Sequence, residues 1–450
     1  MTSNKRNSLL GLFASVQLAL LLLFLLAATS IVGTLIPQNA APSLYVEKYG
    51  IKAAQLMQVL SIPDMYNSWW FLGLLGLFAL NLIVCSLDRI PRTLRIIRRD
   101  GLELEPAQVR KFPLHRELTS PLAPEAAMAR VEAVLAGTGR VRRKETPEGR
   151  LFFTQQGAWT RLGVYVVHCS ILIVLAGALL GSSLVARSLL RDPQFAFKGS
   201  LMLPEGESTG QIRTFKGGLL IDLGFQIRCD SFSVHYYDNG TPKTYLSRVT
   251  ILENNEPVRT AEIKVNQPLV YKGVTFYQSS YNPLPYYKVR ISREDAAAAE
   301  HTAVIPVARQ FNWDEAGVGY GILNREYQGE ATRRLKIWFS DQQGTPASFW
   351  TAMDQPTTLQ QPTGTYRFTV SQLYATGLQA TKDPGVGLVY VGCILMLAGL
   401  VIAFFMSHRR IYVLVQPDGN GSRLLFAGDT NKKQAGFKEK FAALIQQFEE

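Results

Sequence analysis

Apolar residues along the chain gather in four long runs, at about residues 10–36, 69–87, 162–184 and 386–406. Each approaches the roughly 20 residues a helix needs to cross a bilayer. Four transmembrane helices are predicted. Between the third and fourth runs the pattern changes to alternating apolar and polar positions, the period of a half-buried strand. Residues 219–228, 232–237, 244–252, 258–265, 274–281, 286–291, 334–339 and 366–373 read as strands. Asp238-Asn-Gly240 is a hairpin signal. The segment is predicted to be an antiparallel β-sandwich or open barrel of roughly 200 residues. The expected fold class is an α+β membrane protein: four transmembrane helices with a large external antiparallel β-rich domain between helices 3 and 4.

The remaining segments carry weaker patterns. Residues 53–60 read as a small amphipathic helix in a short loop. Residues 124–135 have helical spacing, and 139–144 with 151–154 form a hairpin around Pro147-Glu-Gly149. A short strand at 411–415 precedes a helix at 437–448. Phe437, Phe441, Leu444 and Phe448 share one face of that helix, which docks on the loop module or lies on the membrane. The alanine-rich stretch 294–301 is expected to be a helical turn or a mobile loop. The implied division is 1–88 (two spans and a short external loop), 89–160 (cytoplasmic α+β module), 161–185 (third span), 186–383 (external β-rich domain), 384–407 (fourth span) and 408–450 (cytoplasmic tail). The first run is too long for the apolar region of a signal peptide. Gly33-Thr-Leu-Ile-Pro37-Gln38 reads as its helix end, so it is expected to be a retained anchor.

Charge then sets the topology. The 450-residue chain has a net charge of +12, which alone would admit nucleic acid as a partner. The basic residues instead cluster at span ends. Lys5 and Arg6 precede the first span, and Arg89, Arg92, Arg95, Arg98 and Arg99 follow the second. Arg142, Arg143, Lys144, Arg150 and Arg161 precede the third, and Arg409, Arg410, Lys432 and Lys433 follow the fourth. Under the positive-inside rule all fall on the cytoplasmic side, with both termini. No nucleic acid is implied. Three of the four cysteines, Cys85, Cys169 and Cys393, lie in or beside spans, and only Cys229 lies in the external segment. One external cysteine makes no internal disulfide, and there is no Cys-x-x-Cys, which argues against thiol–disulfide exchange by this chain.

His168 is the candidate for chemistry, because an ionisable residue inside a span is costly and tends to be functional. On a helical wheel Gly163, Ser170, Gly177 and Gly181 lie nearly opposite it, a small-residue stripe suited to close contact with this chain's own helices. His168 then faces away, with Val164, Tyr165, Leu172 and Leu175, and its partner need not lie in this chain. Haem ligation, a structural polar contact and a proton or ion relay all remain open for it. Arg161 projects on the same side about two turns away. It is either a contact for a haem propionate or an interfacial anchor. His408 beside Arg409 and Arg410 reads as a headgroup contact. His115, His235 and His301 are isolated, without metal-ligand spacing. Trp69 and Trp70 fit an aromatic belt. There is no P-loop, Gly-x-Ser-x-Gly or His-Glu-x-x-His.

Over nearly its whole length the chain resembles the ResB/CcsB family of cytochrome c biogenesis proteins (system II). The resemblance lies in the first-span ending Gly33-Thr-Leu-Ile-Pro37-Gln38, in Ser68-Trp69-Trp70-Phe71 through Asn81 to Cys85-Ser-Leu-Asp-Arg89, and in Gly163 and His168. Most specific are Phe232-x-Val234-x-x-Tyr237-x-x-Gly240-x-Pro242-Lys243-x-Tyr245-x-Ser247, Val265-Asn266-x-Pro268-Leu269 and Gly273-x-x-Phe276-Tyr277-Gln278-Ser-Ser-Tyr281. The resemblance implies an unfused subunit that pairs with a CcsA/ResC-type membrane protein to move haem b across the membrane. Haem would then be presented for covalent attachment to apocytochrome c, whose thiols a separate thioredoxin-like reductant keeps reduced. It implies His168 as one axial ligand of haem iron and a partner residue as the other. Phe276, Tyr277 and Gln278 would be core packing or, with Trp69 and Trp70, a surface for apocytochrome or partner. The chain would be a non-catalytic or co-catalytic subunit of a holocytochrome c synthase complex in the bacterial cytoplasmic membrane. The competing expectations are a scaffold that binds no haem, and a membrane sensor with an external ligand domain.

Overall fold

The computed structural model describes all residues except 1–7, 41, 183, 216, 237–241, 295–299, 329–330 and 450. The Asp238-Asn-Gly240 hairpin signal, Lys5, Arg6 and the middle of the 294–301 stretch lie outside the described residues. Among them, four helices are long and apolar enough to cross a membrane: Val16–Leu35, Trp69–Arg98, Gly163–Leu180 and Val386–Phe405. A large region of antiparallel sheet lies between the third and fourth. The molecule is thus the mixed helical and β-rich membrane protein that its hydropathy pattern describes.

The first span begins later than its apolar run because the helix breaks. A short helix, Ser8–Phe13, ends before Ser15, whose side chain accepts a hydrogen bond from Gln17 N at 3.1 Å. Asn81 of the second span donates through Nδ2 to the Phe13 and Ser15 carbonyls at 2.8 and 3.1 Å, clasping the break from both sides. The second span is the longest, 30 residues, and runs on through Pro91 into its arginines. At its other end a pair of short helices, Pro42–Tyr49 and Ile51–Val59, replaces the single predicted one. Gln38 ties this loop down, donating to Ile62 O at 3.1 Å and accepting from Met65 N at 3.0 Å.

The third and fourth spans meet through small residues. A Cβ on Gly392 would lie 3.0 Å from Ser170 O, and one on Gly399 3.0 Å from Val167 N. One on Gly163 would lie 2.9 Å from Ala403 N. The stripe Gly163, Ser170, Gly177 is therefore in backbone contact with the fourth span, as helix packing in lipid favours. On the opposite face Ile171, Leu172 and Leu175 pack against Leu22, Phe78 and Leu82 of the first and second spans.

The segment after the second span and the segment after the fourth build one sheet. Its antiparallel order is Leu114–Ser120, Gly421–Thr430, Arg409–Asp418, Gly149–Gln156, Arg142–Thr146. Helices Pro124–Ala136 and Gln434–Gln446 cover one face, where Val131, Leu135, Phe437, Phe441 and Leu444 are buried. Docking, rather than lying on lipid, accounts for the apolar face of the last helix. Leu102, Leu104, Val109 and Phe112 cover the other face.

The β-rich domain has a ten-stranded and a four-stranded antiparallel sheet. Two long strands, Val274–Arg293 and Gly364–Lys382, pair along their length and slip in register between Pro283 and Tyr287. Phe276, Leu378 and Ala380 lie in one core before the slip, while Tyr287, Val289, Phe368 and Val370 lie in a second core beyond it. The sequence pattern divides the first strand at Pro283 and Pro285 and ends the second at 373. Long-range pairing carries both through, because a strand gains its partners from distant segments and not from its own periodicity.

Candidate functional site

His168 lies about one and a half turns into the third span. Its Nδ1 is 2.9 Å from Ser86 Oγ on the second span. Ser86 Oγ is also 2.6 Å from Leu82 O, a carbonyl that can only accept, so the single hydroxyl proton goes there. Ser86 then accepts from His168, which must carry its proton on Nδ1. Nε2 is left with an open lone pair and no hydrogen bond among the described residues. Such a tied imidazole, fixed in tautomer through one nitrogen and free at the other, can ligate a metal or accept a proton.

The same helix pair makes a second polar contact towards its basic end. Thr93 Oγ1 lies 2.8 Å from Tyr165 OH, and the Tyr165 ring stands edge-on to His168 with centroids 6.2 Å apart. Ser86, Arg89 and Thr93 recur at helical spacing on the second span, so Arg89 projects between the two contacts. On the helical wheel alone the partner of His168 need not lie in this chain. The structure corrects this in part: the second span covers the face, and Nε2 is what stays open. Spaced polar residues in an otherwise apolar helix were the available signal for Ser86 and Thr93.

Arg161 is engaged elsewhere. Its Nε donates to His408 Nδ1 at 2.9 Å, while His408 Nε2 donates to Gln155 Oε1 at 3.1 Å. The His408 backbone N–H donates to Asn431 Oδ1 at 2.8 Å. His408 is 1% exposed, which corrects the headgroup reading: strand Arg409–Asp418 starts here and draws the residue into the small domain. Burial, then the Arg161 and Arg410 guanidiniums, push its pKa down to about 4 against the opposing pull of Asp429. The unfolded imidazole binds protons first as pH falls. His408 therefore contributes full stability above about pH 6.5 and progressively less down to about pH 4, a loss of about 3 kcal/mol. The melting temperature of the wild-type protein should fall more steeply over this interval than that of His408→Gln. Parallel pH profiles would contradict the assignment.

The other histidines are occupied or exposed. His115 Nδ1 is 3.0 Å from Phe112 O, and His235 Nε2 is 3.4 Å from Ser233 Oγ. His301 Nε2 is 2.8 Å from Tyr320 OH, and its ring stacks on Trp313. No group of three or more His, Cys, Asp or Glu side chains that could hold a metal occurs among the described residues.

In the β-rich domain Phe276, Tyr277 and Gln278, read as core packing or as a surface, divide by strand alternation. Phe276 is 0% exposed and sits in the core, the packing alternative of its two readings. Tyr277 points outward and is exposed. Gln278 turns inward, where its Oε1 accepts from Ser247 Oγ at 2.6 Å and its Nε2 donates to Ser280 O at 2.9 Å and Thr376 Oγ1 at 3.1 Å. Phe232 stacks on Tyr281 at 5.3 Å, and Tyr245 and Tyr374 join the same aromatic group. Residues distant in sequence thus converge to hold strands together. Trp69 is exposed at the start of the second span, while Trp70 Nε1 donates to Leu60 O at 2.8 Å. Cys229 is fully buried, and burial, with Glu205 and Asp230 nearby, pushes its pKa up to about 12. A maleimide reagent should modify Cys229 only after unfolding, by peptide mass spectrometry. Rapid modification of the native protein would show a reactive thiol instead.

Known proteins match this arrangement along nearly all its length. A model of the ResB-like family covers residues 16–333 and 322–442, most of the chain. The chain belongs to the ResB-like family. Among its relatives, cytochrome c biogenesis protein CcsB of Synechococcus sp. (strain JA-3-3Ab) is 27% identical over 464 residues, covering 98% of this chain and 90% of the relative. The proteins of the same name from Nostoc sp. (strain PCC 7120 / SAG 25.82 / UTEX 2576) and Gloeobacter violaceus (strain ATCC 29082 / PCC 7421) are 26% and 25% identical. Each covers 98% of this chain, with 92% and 91% of the relative matched. Both the spans that carry His168 and Ser86 and the whole β-rich domain fall inside these matches to the family.

Proposed function

We propose that this chain serves cytochrome c biogenesis as the haem-handling membrane subunit of a maturation complex. The role in biogenesis is drawn from its ResB-like membership and from relatives named CcsB. One observation carries the haem assignment: His168, in an apolar span, is tied through Nδ1 to Ser86 and open at Nε2. A neutral imidazole of that tautomer suits haem iron. Haem b is the substrate here, an apolar ring suited to an apolar span. Every other described histidine is bonded through a ring nitrogen or lies outside the spans. The second axial ligand is therefore assigned to a CcsA/ResC-type partner.

The basic span ends and the small domain are placed on the cytoplasmic side of a bacterial inner membrane by the positive-inside rule. The β-rich domain then lies outside, where apocytochrome c and a thioredoxin-like reductant act. Tyr277 is the outward one of the three strand residues and the one suited to client contact. Attachment of haem is assigned to the assembled complex. The test is to purify the chain with and without its partner and record haem content for wild type and His168→Gly. Unchanged haem and unchanged cytochrome c assembly in the variant would remove the ligand role and favour a scaffold.

A further inference from the structure

We propose that Arg89 is the anion-binding residue of the His168 site, taking a propionate carboxylate of the haem whose iron His168 ligates. This deepens the haem reading and rests on it. Three observations support Arg89 over Arg161. Arg89 lies between Ser86 and Thr93 on the second span, and both neighbours contact the third span, at His168 and Tyr165. Its neighbour Arg92 faces Asp88 at 3.6 Å, whereas Arg89 is exposed and makes no ion pair among the described residues. Arg161, by contrast, already spends its Nε on His408.

Depth gives the same answer. Counting from Trp69, Ser86 lies about 26 Å along the helix and Arg89 about 30 Å. A hydrocarbon core is about 30 Å thick, so His168 sits just inside its basic boundary and Arg89 at it. Haem is amphipathic: its ring belongs in the apolar layer, but a carboxylate there is costly unless paired. A ring ligated at His168 and turned with its anionic edge towards Arg89 meets both demands. An arginine fork matches a carboxylate with two parallel hydrogen bonds, which an ammonium cannot reproduce.

The full chain, with its partner subunit where haem uptake needs it, is titrated in nanodiscs of neutral phosphatidylcholine. The probes are haem b and haem b dimethyl ester, in which both propionates are blocked. Wild type should bind haem b about tenfold or more tightly than Arg89→Ala, the expected scale for one charge-assisted contact. Arg89→Lys should recover part of the difference. The ester should bind wild type and Arg89→Ala alike, at the weaker level. His168→Ala should change the iron-ligand absorption with either probe. If Arg89→Ala binds haem b like wild type while His168→Ala still alters the spectrum, Arg89 is a headgroup anchor and the assignment falls alone. If His168→Ala leaves the spectrum unchanged, the haem reading fails and Arg89 falls with it.

Discussion

Replacing His168 with glycine is expected to remove the haem absorption of the purified complex and to reduce cytochrome c assembly at least a hundredfold. The magnitude follows from the site's construction. If Nε2 ligates the iron, the hydroxyls of Ser86 and Thr93 do not replace it, since both are already used in hydrogen bonds. The cavity left by the ring is lined by Ser86 and by an edge-on Tyr165. Added imidazole should enter it, bond to Ser86 and restore part of the spectrum. Ser86→Ala is a milder companion: it frees the ring to rotate and removes the partner that sets its tautomer. Loss of a second-layer partner typically costs about 10–100-fold in metal affinity. A variant that lost assembly yet kept the wild-type haem spectrum would shift His168 from ligand to structural contact.

The second large effect is on folding. Gly392→Leu should prevent the third and fourth spans from closing, because even a Cβ there would lie 2.6 Å from Val174 Cγ2 and 3.0 Å from Ser170 O. The second of these is backbone and cannot turn aside. Core overpacking costs about 1–3 kcal/mol where side chains can adjust, so this site should exceed that range. The outcome is read as loss of monodisperse protein in detergent and a fall in melting temperature. Gly387→Leu on the same helix is the control, since nothing lies within 4 Å of its Cβ position. Equal tolerance of the two substitutions would show that the spans do not depend on close contact. The small domain should lose stability too, because strand Arg409–Asp418 follows directly on the fourth span.

Much of the membrane layout was legible because the bilayer imposes a local rule. A span must be apolar for about 20 residues wherever its partners are. The stripe of Gly163, Ser170 and Gly177 was equally readable, since helical rotation puts those positions on one face. Strands were harder. Residues 114–120, 197–204, 208–214 and 421–430 give no clear alternation, yet each is a strand. Their conformation is set by neighbours that pair with them from elsewhere in the chain. Strand propensity reflects that packing more than any intrinsic preference.

The site divides in the same way. Sequence by itself determined that His168 is a costly residue in a span, that a glycine stripe lies behind it, and that the chain resembles the ResB/CcsB family of cytochrome c biogenesis proteins. Those are properties of single residues, of helical period and of spaced motifs. Tertiary structure alone decided which nitrogen of His168 is open, because that depends on where one proton of Ser86 goes. It also decided that Arg161 belongs to His408, that Phe276 and Gln278 face inward, and that the tail completes the loop's sheet. Each of these joins groups far apart in sequence through contacts of a few ångströms. A helical or strand period carries no information about such contacts until the chain has folded.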